Sequence, residues 1–465
     1  MLLLLFASFL ALAVTVTFAN WRHGLLLALA CGVLQDPVRK MTAGTPVLLT
    51  FSIIVIFAAV LLRAWPLLVT ALQDFSRRFP AIYLAGGALL FFLLLAAING
   101  LMTFGFRYWK VPMVSLFTYL SPIPAILVGY VYLQREEMLY RFLSVYVTIT
   151  SVALIGTVLE YLRFDLPFLG MVAVQGDQIR HLPGIQIRML SGIYRAPDIM
   201  GWHAATLTSI GIAFAIRGGL GRRTWPWLTV AAWGFFCCMI SGRRKAVYFV
   251  AAFAAAFLWR YFRRLKMAQL VAIGTTGLLL AGVVFQISRN EESSVYARGA
   301  TASRLELAQR LEGGVIETFR QFGLMGAGLG TATQGVQHLL PPDITRGWQE
   351  GGLGKIAVEL GLPGILGLIL FAVATGSMLL KLTRIGDVPG SSQVARATLF
   401  GLVAANAVNF LASAQAYTDP VLSLITALFV GFLFATASLD ERLPESERAP
   451  QTPPATRPVP ATAPA

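Results

Sequence analysis

Residues 267–287 read MAQLVAIGTTGLLLAGVVFQI, and residues 356–380 read IAVELGLPGILGLILFAVATGSMLL. Each run is apolar and long enough to cross a bilayer as a helix, which takes about 20 residues. The segment between them, Ser288–Glu350, carries charges, glycines and prolines instead. The pattern predicts membrane spans on either side of one large polar segment, and we expect that segment to serve chemistry or recognition.

The composition of the whole chain also favours a membrane protein. Of its 465 residues, 57% are hydrophobic and only 13% are charged, and the mean hydropathy is +0.70. Soluble globular proteins carry about 25% charged residues. We therefore predict an all-α polytopic membrane protein of about 12 transmembrane helices. A large, partly helical loop on the outer face precedes the third-last span.

Apolar stretches of spanning length recur along the chain. The first, Leu2–Ala19, lacks the basic residues that open a secretory signal, which predicts an uncleaved first helix. The second, Gly24–Leu34, is short for a span and predicts an interfacial helix or one merged with its neighbour. The other candidate spans are Pro46–Leu62, Ala81–Ile98, Met113–Leu133, Phe142–Leu159, Met200–Ile216, Trp227–Ile240, Ala246–Trp259, Ala268–Ile287, Ile356–Leu380, Ala395–Leu411 and Val421–Ala437.

The Lys and Arg residues predict the orientation of the chain, because cytoplasmic loops collect them. With the basic loops in the cytoplasm, Glu160–Asp198 and Ser288–Glu350 lie on the outer face. Ser241–Lys245 lies there too, and its three consecutive cations break the rule, which suggests an anionic ligand. The basic loops explain the net charge of +15 without nucleic-acid binding. They contain Arg217, Arg222 and Arg223; Arg260, Arg263, Arg264 and Lys266; and Lys381, Arg384 and Arg396.

The polar segment contains the signature of a helix. Ser303 followed by Glu306 matches a capping box, and apolar residues then recur at helical spacing. We predict an amphipathic helix from about Arg304 to Phe322 that lies on the membrane surface or covers a cavity, with a simple packing helix as the alternative. Residues 1–440 are predicted to form the membrane domain. Residues 441–465, rich in Pro, Ala and Thr, are predicted to be a disordered cytoplasmic tail.

Four arginines near the predicted outer face are candidate phosphate ligands: Arg195, Arg243, Arg244 and Arg320. Arginine suits phosphate because its planar guanidinium donates parallel hydrogen bonds and stays charged. Charges at membrane depth are costly and therefore tend to be functional. The alternative is that each side chain reaches a lipid headgroup. The Cys and His residues have no metal-ligand spacing, so we predict neither a metal site nor a cofactor.

Two further features are candidates for chemistry. The stretch Gly323–Gly335, GLMGAGLGTATQG, contains Gly326, Gly328 and Gly330, whose N–H groups could bind phosphate or let a sugar approach; a tight turn is the alternative. Glu350 lies where the polar segment meets the next span and is a candidate general base. The other candidates are Glu359, for which pairing with Lys355 is the alternative, and His338. Gly361, Pro363 and Gly364 are predicted to break or kink the helix.

Three stretches of sequence, taken in order, resemble the bacterial O-antigen ligase and Wzy-type polysaccharide polymerase superfamily. They are RMLSGIYRAPDIMGWHAA at 188–205, SGRRKAV at 241–247, and GLMGAGLGTATQG at 323–335 followed by EGGLGKIAVELGLPG at 350–364. The stretch GVLQDPVRKMTAGTPV at 32–47 is similar to exopolysaccharide polymerases of this group. In the ligases a histidine usually begins the helix after the outer loop, where this chain has Glu350. That departure favours the polymerases.

The resemblance implies an inverting, metal-independent glycosyltransferase in the bacterial inner membrane, with its active site facing the periplasm. The donor would be a glycan on undecaprenyl diphosphate, and the partners would be a flippase and a chain-length regulator. Arg195 and Arg243 would hold the diphosphate, and Glu350 would orient or deprotonate the attacking hydroxyl. The alternatives are a ligase that transfers finished glycan to lipid A core or another acceptor, a small-anion transporter, and a non-catalytic assembly subunit.

Overall fold

The computed structural model describes residues 1–170, 179–182, 185–218, 221–261, 265–289, 291–301, 305–333, 339, 351–384 and 391–441. The first helices are α1 Leu2–Ala19, α2 Trp21–Lys40, α3 Ser52–Arg78, α4 Pro80–Phe104, α5 Lys110–Leu120, α6 Pro122–Tyr132, α7 Glu136–Ala153 and α8 Ile155–Tyr161. The strands β1 Ile179–Leu182 and β2 Ile185–Arg188 follow. The remaining helices are α9 Pro197–Gly218, α10 Thr224–Ile240, α11 Arg244–Tyr261, α12 Met267–Arg289, α13 Glu291–Thr301, α14 Leu305–Phe322, α15 Gly352–Arg384, α16 Ser391–Ala412 and α17 Pro420–Glu441.

The predicted fold class, an all-α polytopic membrane protein, is confirmed. Among the described residues, ten helical runs are long and apolar enough to cross a membrane. Helices α10 and α11 are not among these ten. The first has 17 residues, and the second contains Arg244, Lys245 and Arg260. The predicted number of about 12 spans stays a prediction, since ten are found among the described residues.

The second helix is longer than the sequence pattern predicted. Instead of ending at Leu34, α2 continues to Lys40 through Gln35, Asp36 and Pro37. Gln35 and Asp36 are almost completely buried. They face other protein segments rather than lipid, so their polarity does not end the helix, and the last turn of α2 lies inside the protein.

The centre of the bundle is α9, whose residues from Pro197 to Ile216 are all buried. Small residues allow its neighbours to approach closely, as in many membrane helix pairs. A Cβ atom added at Gly211 would lie 2.9 Å from the main-chain nitrogen of Ala231 in α10. One added at Gly234 of α10 would lie 2.7 Å from Thr208 Oγ1 of α9. Helices α9 and α10 therefore pack closely against each other.

The two polar stretches that were predicted to share one face are in contact with each other. The strands β1 and β2, which the sequence did not predict, pair as an antiparallel hairpin in the first stretch. In the second, the Tyr296 hydroxyl of α13 donates to the carbonyl oxygen of Arg188 in β2, at 2.8 Å. The predicted amphipathic helix is present as α14 and packs against α15. The predicted tail, apart from its first residue, lies outside the described residues.

Candidate functional site

Charged side chains from three helices, and from the residues just before α9, α11 and α17, lie where those three helices begin and α2 ends. The groups are linked by hydrogen bonds and ion pairs between segments far apart in the sequence. Arg217, by contrast, lies in the last turn of α9, at the other end of that helix. We call this group the charged cluster, and its members are Asp36, Lys40, Arg195, Asp198, Arg243, Lys245 and Asp419.

Arg195 is fixed at both its main chain and its side chain. Its N–H group donates to Asp36 Oδ2 at 3.0 Å. Its guanidinium pairs with Asp419 Oδ2, and the Arg195 side chain is 18% exposed while that of Asp419 is 2% exposed. The second oxygen of Asp419 caps α17, accepting from the N–H groups of Val421 at 2.7 Å and Leu422 at 3.1 Å. Asp419 therefore links Arg195 to the start of α17.

Asp198, in the first turn of α9, pairs with two cations from the start of α11. Its Oδ1 atom lies 3.0 Å from Arg243 Nε and 2.8 Å from Lys245 Nζ. Lys245 also donates to the hydroxyl of Ser413, just beyond the end of α16, at 2.9 Å. The N–H group of Arg243 donates to Ser241 Oγ at 3.1 Å. These contacts place Arg243, the second predicted phosphate ligand, beside the start of α9, the helix that follows Arg195.

The electrostatics of the charged cluster suit an anion. The N-termini of α9, α11 and α17 meet there, and each carries partial positive charge from its unpaired N–H groups. Four cationic side chains accompany three carboxylates in the charged cluster, and the guanidinium groups of Arg195 and Arg243 are each paired with an aspartate. Burial lowers the pKa of Lys40, at the end of α2 and outside the ten candidate spans, to about 8. The phosphate-binding role of the two arginines stays a prediction.

The structure places the other predicted phosphate ligands differently. Arg244 is buried and is the first residue of α11, next to Arg243. The side chain of Arg320 is 75% exposed on α14 and pairs with Glu317 at 3.7 Å, apart from the charged cluster. Of the four candidates, Arg195 and Arg243 are therefore the two that belong to the charged cluster.

Two of the predicted bases, Glu350 and His338, lie outside the described residues. The nearest described residue to the first is Gly351, where an added Cβ atom would lie 3.7 Å from the carbonyl oxygen of Leu411, near the end of α16. Ser413, which bonds Lys245, lies just beyond the same end. The chain following Glu350 thus enters the bundle at the end that holds the charged cluster.

Glu359, the third predicted base, is completely buried and is surrounded by donors from the glycine-rich loop. Its Oε1 atom accepts from the N–H groups of Gly330 and Ala332, both at 3.2 Å, and from Thr333 Oγ1 at 2.6 Å. Its Oε2 atom accepts from the Tyr119 hydroxyl at 2.7 Å. The anion held by these N–H groups is a carboxylate of the protein itself.

The predicted sugar-facing loop at Gly326, Gly328 and Gly330 is packed tightly against helices. All three glycines have positive φ. Added Cβ atoms would lie 2.7 Å from Val358 O, 2.2 Å from Gly100 N and 2.4 Å from Val111 Cγ1, respectively. These close contacts support the alternative of a tight structural turn, and a substrate role for the loop stays a prediction.

The loop also stabilises a break in α15. The sequence predicted a kink at Gly361, and that residue is non-helical, with φ 65° and ψ −163°. The break frees main-chain groups that must find partners inside a membrane. The glycine-rich loop supplies them: Ala327 N–H donates to Val358 O at 2.7 Å, and Leu362 N–H donates to Leu324 O at 2.8 Å. Glu359, between these bonds, joins the loop to the broken helix.

We expect Glu359→Gln to fold and Glu359→Leu to be destabilised. Glutamine keeps an oxygen for the loop donors, whereas leucine leaves the buried N–H groups of Gly330 and Ala332 without an acceptor, at about 1–3 kcal/mol each. Thermal unfolding of the purified protein in detergent measures the difference. If Glu359→Gln has an unchanged Tm but no function in cells, the predicted catalytic role of Glu359 gains support instead.

Sequence reasoning did not select the three carboxylates of the charged cluster. Asp36 and Asp419 each precede a proline in or beside an apolar stretch, and Asp198 follows one. An ionisable residue in an apolar stretch is a functional candidate in its own right. This feature of the sequence could have identified the three aspartates. Among the described residues, no group of three or more His, Cys, Asp or Glu side chains is arranged to hold a metal ion.

Comparison with known proteins gives no family assignment, since no protein-family model matches the chain and no curated protein is significantly similar to it.

Proposed function

We propose that this protein is a glycosyltransferase that polymerises oligosaccharide repeat units carried on undecaprenyl diphosphate, at the periplasmic face of the bacterial inner membrane. The observation that carries the proposal is that two arginines from separate segments are each paired with an aspartate at a helix N-terminus within a bundle of membrane helices: Arg195 with Asp419 at the start of α17, and Arg243 with Asp198 at the start of α9. Two guanidinium groups and helix N-termini are the groups that proteins use for phosphate. The resemblance of the three stretches to polysaccharide polymerases supports the substrate class.

In the proposed reaction, the acceptor hydroxyl oxygen attacks the anomeric carbon of the donor glycan from the face opposite the diphosphate. The bond between that carbon and the phosphate oxygen breaks, and the electron pair leaves with undecaprenyl diphosphate. Negative charge grows on the leaving oxygen, so fixed cations lower the barrier most when they are already oriented. Arg195 and Arg243 are held in place before the donor arrives. Attack from the opposite face inverts the anomeric configuration.

A general base accepts the proton of the attacking hydroxyl, and Glu350 is the residue we propose for it. Glu350→Gln should lower the transfer rate by about 10²-fold or more, the usual contribution of a general base. The matched control is Glu317→Gln, which neutralises an exposed carboxylate on α14 of the same polar segment. Polymer length and amount on gels provide the measurement. A wild-type rate in Glu350→Gln would remove Glu350 from the mechanism and make His338 the next residue to replace.

Mass spectrometry of lipid-linked glycans in a strain that lacks the gene tests the proposed function. We expect single repeat units on undecaprenyl diphosphate to accumulate, because nothing joins them. Accumulation of full-length lipid-linked polymer would instead identify a ligase. Unchanged pools of both would contradict glycosyl transfer and favour anion transport or an unrelated role.

A further inference from the structure

The end of α2 binds the segment that carries Arg195. Lys40 Nζ donates to the carbonyl oxygens of Gly192 at 2.8 Å and Tyr194 at 2.6 Å. Asp36, one helical turn earlier, accepts the N–H group of Arg195 at 3.0 Å. Two charged groups of one helix thus hold three main-chain groups of a segment more than 150 residues away.

A third charge holds the same segment from the other side. Glu160 Oε2, in α8, accepts from the N–H groups of Ser191 at 2.9 Å and Gly192 at 2.5 Å. Gly192 has φ +57°, and a Cβ atom there would lie 2.5 Å from Thr157 Oγ1. The main chain just before Arg195 is therefore fixed between α2 and α8.

Burying charged side chains only to provide hydrogen-bond partners for a loop costs free energy. Neutral side chains or main-chain turns would meet the hydrogen-bonding needs of these five main-chain groups without burying ions. Hydrogen bonds to ionised groups are about twice as strong as neutral ones, so they define position more tightly. Asp36 is 2% exposed, and the Lys40 ammonium is bound to two carbonyl groups. Both therefore act through the segment they hold.

We infer that Asp36 and Lys40 are positioning residues, which set the orientation of Arg195 from the end of α2. The inference rests on the proposed function, in which the guanidinium of Arg195 stabilises the departing diphosphate. A shift of the segment by about 1 Å would move that guanidinium away from the leaving oxygen. Misplacement of this size costs about 10²-fold in rate.

The test uses the full-length protein in liposomes with a lipid-linked repeat unit as donor. Lys40→Met should lower kcat by about tenfold to a hundredfold and raise hydrogen exchange across Ser191–Arg195 by about tenfold, since two charge-assisted bonds are lost. Lys40→Arg, which keeps the charge and the donors, should restore most of the rate. Arg22→Met removes a cation from the other end of α2 and should change neither quantity.

Each result separates the inference from the proposed function. A lower kcat in Lys40→Met with unchanged exchange would overturn the inference, and so would faster exchange with an unchanged kcat. If Lys40→Met does not fold, Asp36→Asn is the second variant, because asparagine keeps the shape but replaces the charge-assisted bond from the Arg195 N–H group with a weaker neutral one; the same two changes are expected. If the wild-type protein transfers no glycan, the proposed function fails. Unchanged hydrogen exchange across Ser191–Arg195 in both variants would overturn the role of α2 whether or not glycan is transferred.

Discussion

Arg195→Ala is expected to abolish polymer formation while the protein still inserts into the membrane. Loss of one preorganised group that stabilises transition-state charge costs about 10²–10³ in rate. The control is Arg77→Ala, which removes an exposed arginine at the end of α3. Pulse-labelled lipid-linked glycans and polymer are measured in cells that produce each variant at equal level. Wild-type polymer in Arg195→Ala would contradict a role in diphosphate binding.

A second variant separates this chemical role from stability. Arg195→Ala leaves the carboxylate of Asp419 buried without its cation, and breaking a buried ion pair in this way costs about 3–5 kcal/mol. The double variant Arg195→Gln with Asp419→Asn removes both charges, and asparagine still caps α17. We expect the double variant to recover the membrane level and Tm of the wild type without recovering activity. Recovery of activity would show that Arg195 is needed only for folding.

Arg243→Ala is expected to reduce the transfer rate by about 10²-fold or more, by the same loss of charge stabilisation. Its effect on stability should be smaller than that of Arg195→Ala, because Asp198 keeps Lys245 at 2.8 Å. Comparing kcat with KM for the lipid-linked donor distinguishes a role of Arg243 in the transfer step from a role in donor binding. A fall in kcat indicates stabilisation of the leaving diphosphate, whereas a rise in KM alone indicates donor binding.

Lys245→Met is the matched variant for Arg243→Ala. It removes the other cation of Asp198 and leaves the ion pair with Arg243 at 3.0 Å. We expect a larger loss of stability and a smaller loss of rate, because Lys245 also bonds Ser413 and so joins α11 to the end of α16. Equal losses of rate in the two variants would contradict a special role for Arg243 and favour a general need for positive charge.

The features that local pattern determines were predictable from the sequence. The spans follow from apolar runs of bilayer length, the helix α14 from its spacing, and the break at Gly361 from glycine and proline within a span. The extension of α2 was not predictable, because Gln35 and Asp36 look like the end of a helix until their buried partners are known. The β1–β2 hairpin is short and carries little pattern.

The candidate site was predictable only in part, because its contacts join distant segments. Arg195 and Arg243 were identified by their charge at the predicted outer face. Their partners were not, since no local spacing links Asp36 or Asp419 to an arginine that lies far along the chain. The glycine-rich loop showed a pattern that fits an anion, but only the fold reveals that Glu359 is the anion it holds.

The most direct test of the central claim uses purified full-length protein in liposomes with a synthetic repeat unit on undecaprenyl diphosphate. Mass spectrometry and nuclear magnetic resonance follow the products. We predict extended lipid-linked glycan, release of one undecaprenyl diphosphate for each unit joined, and inversion at the new linkage, all lost in Arg195→Ala and Arg243→Ala. An intact wild-type protein that releases no undecaprenyl diphosphate, or equal release by both arginine variants, would contradict the account.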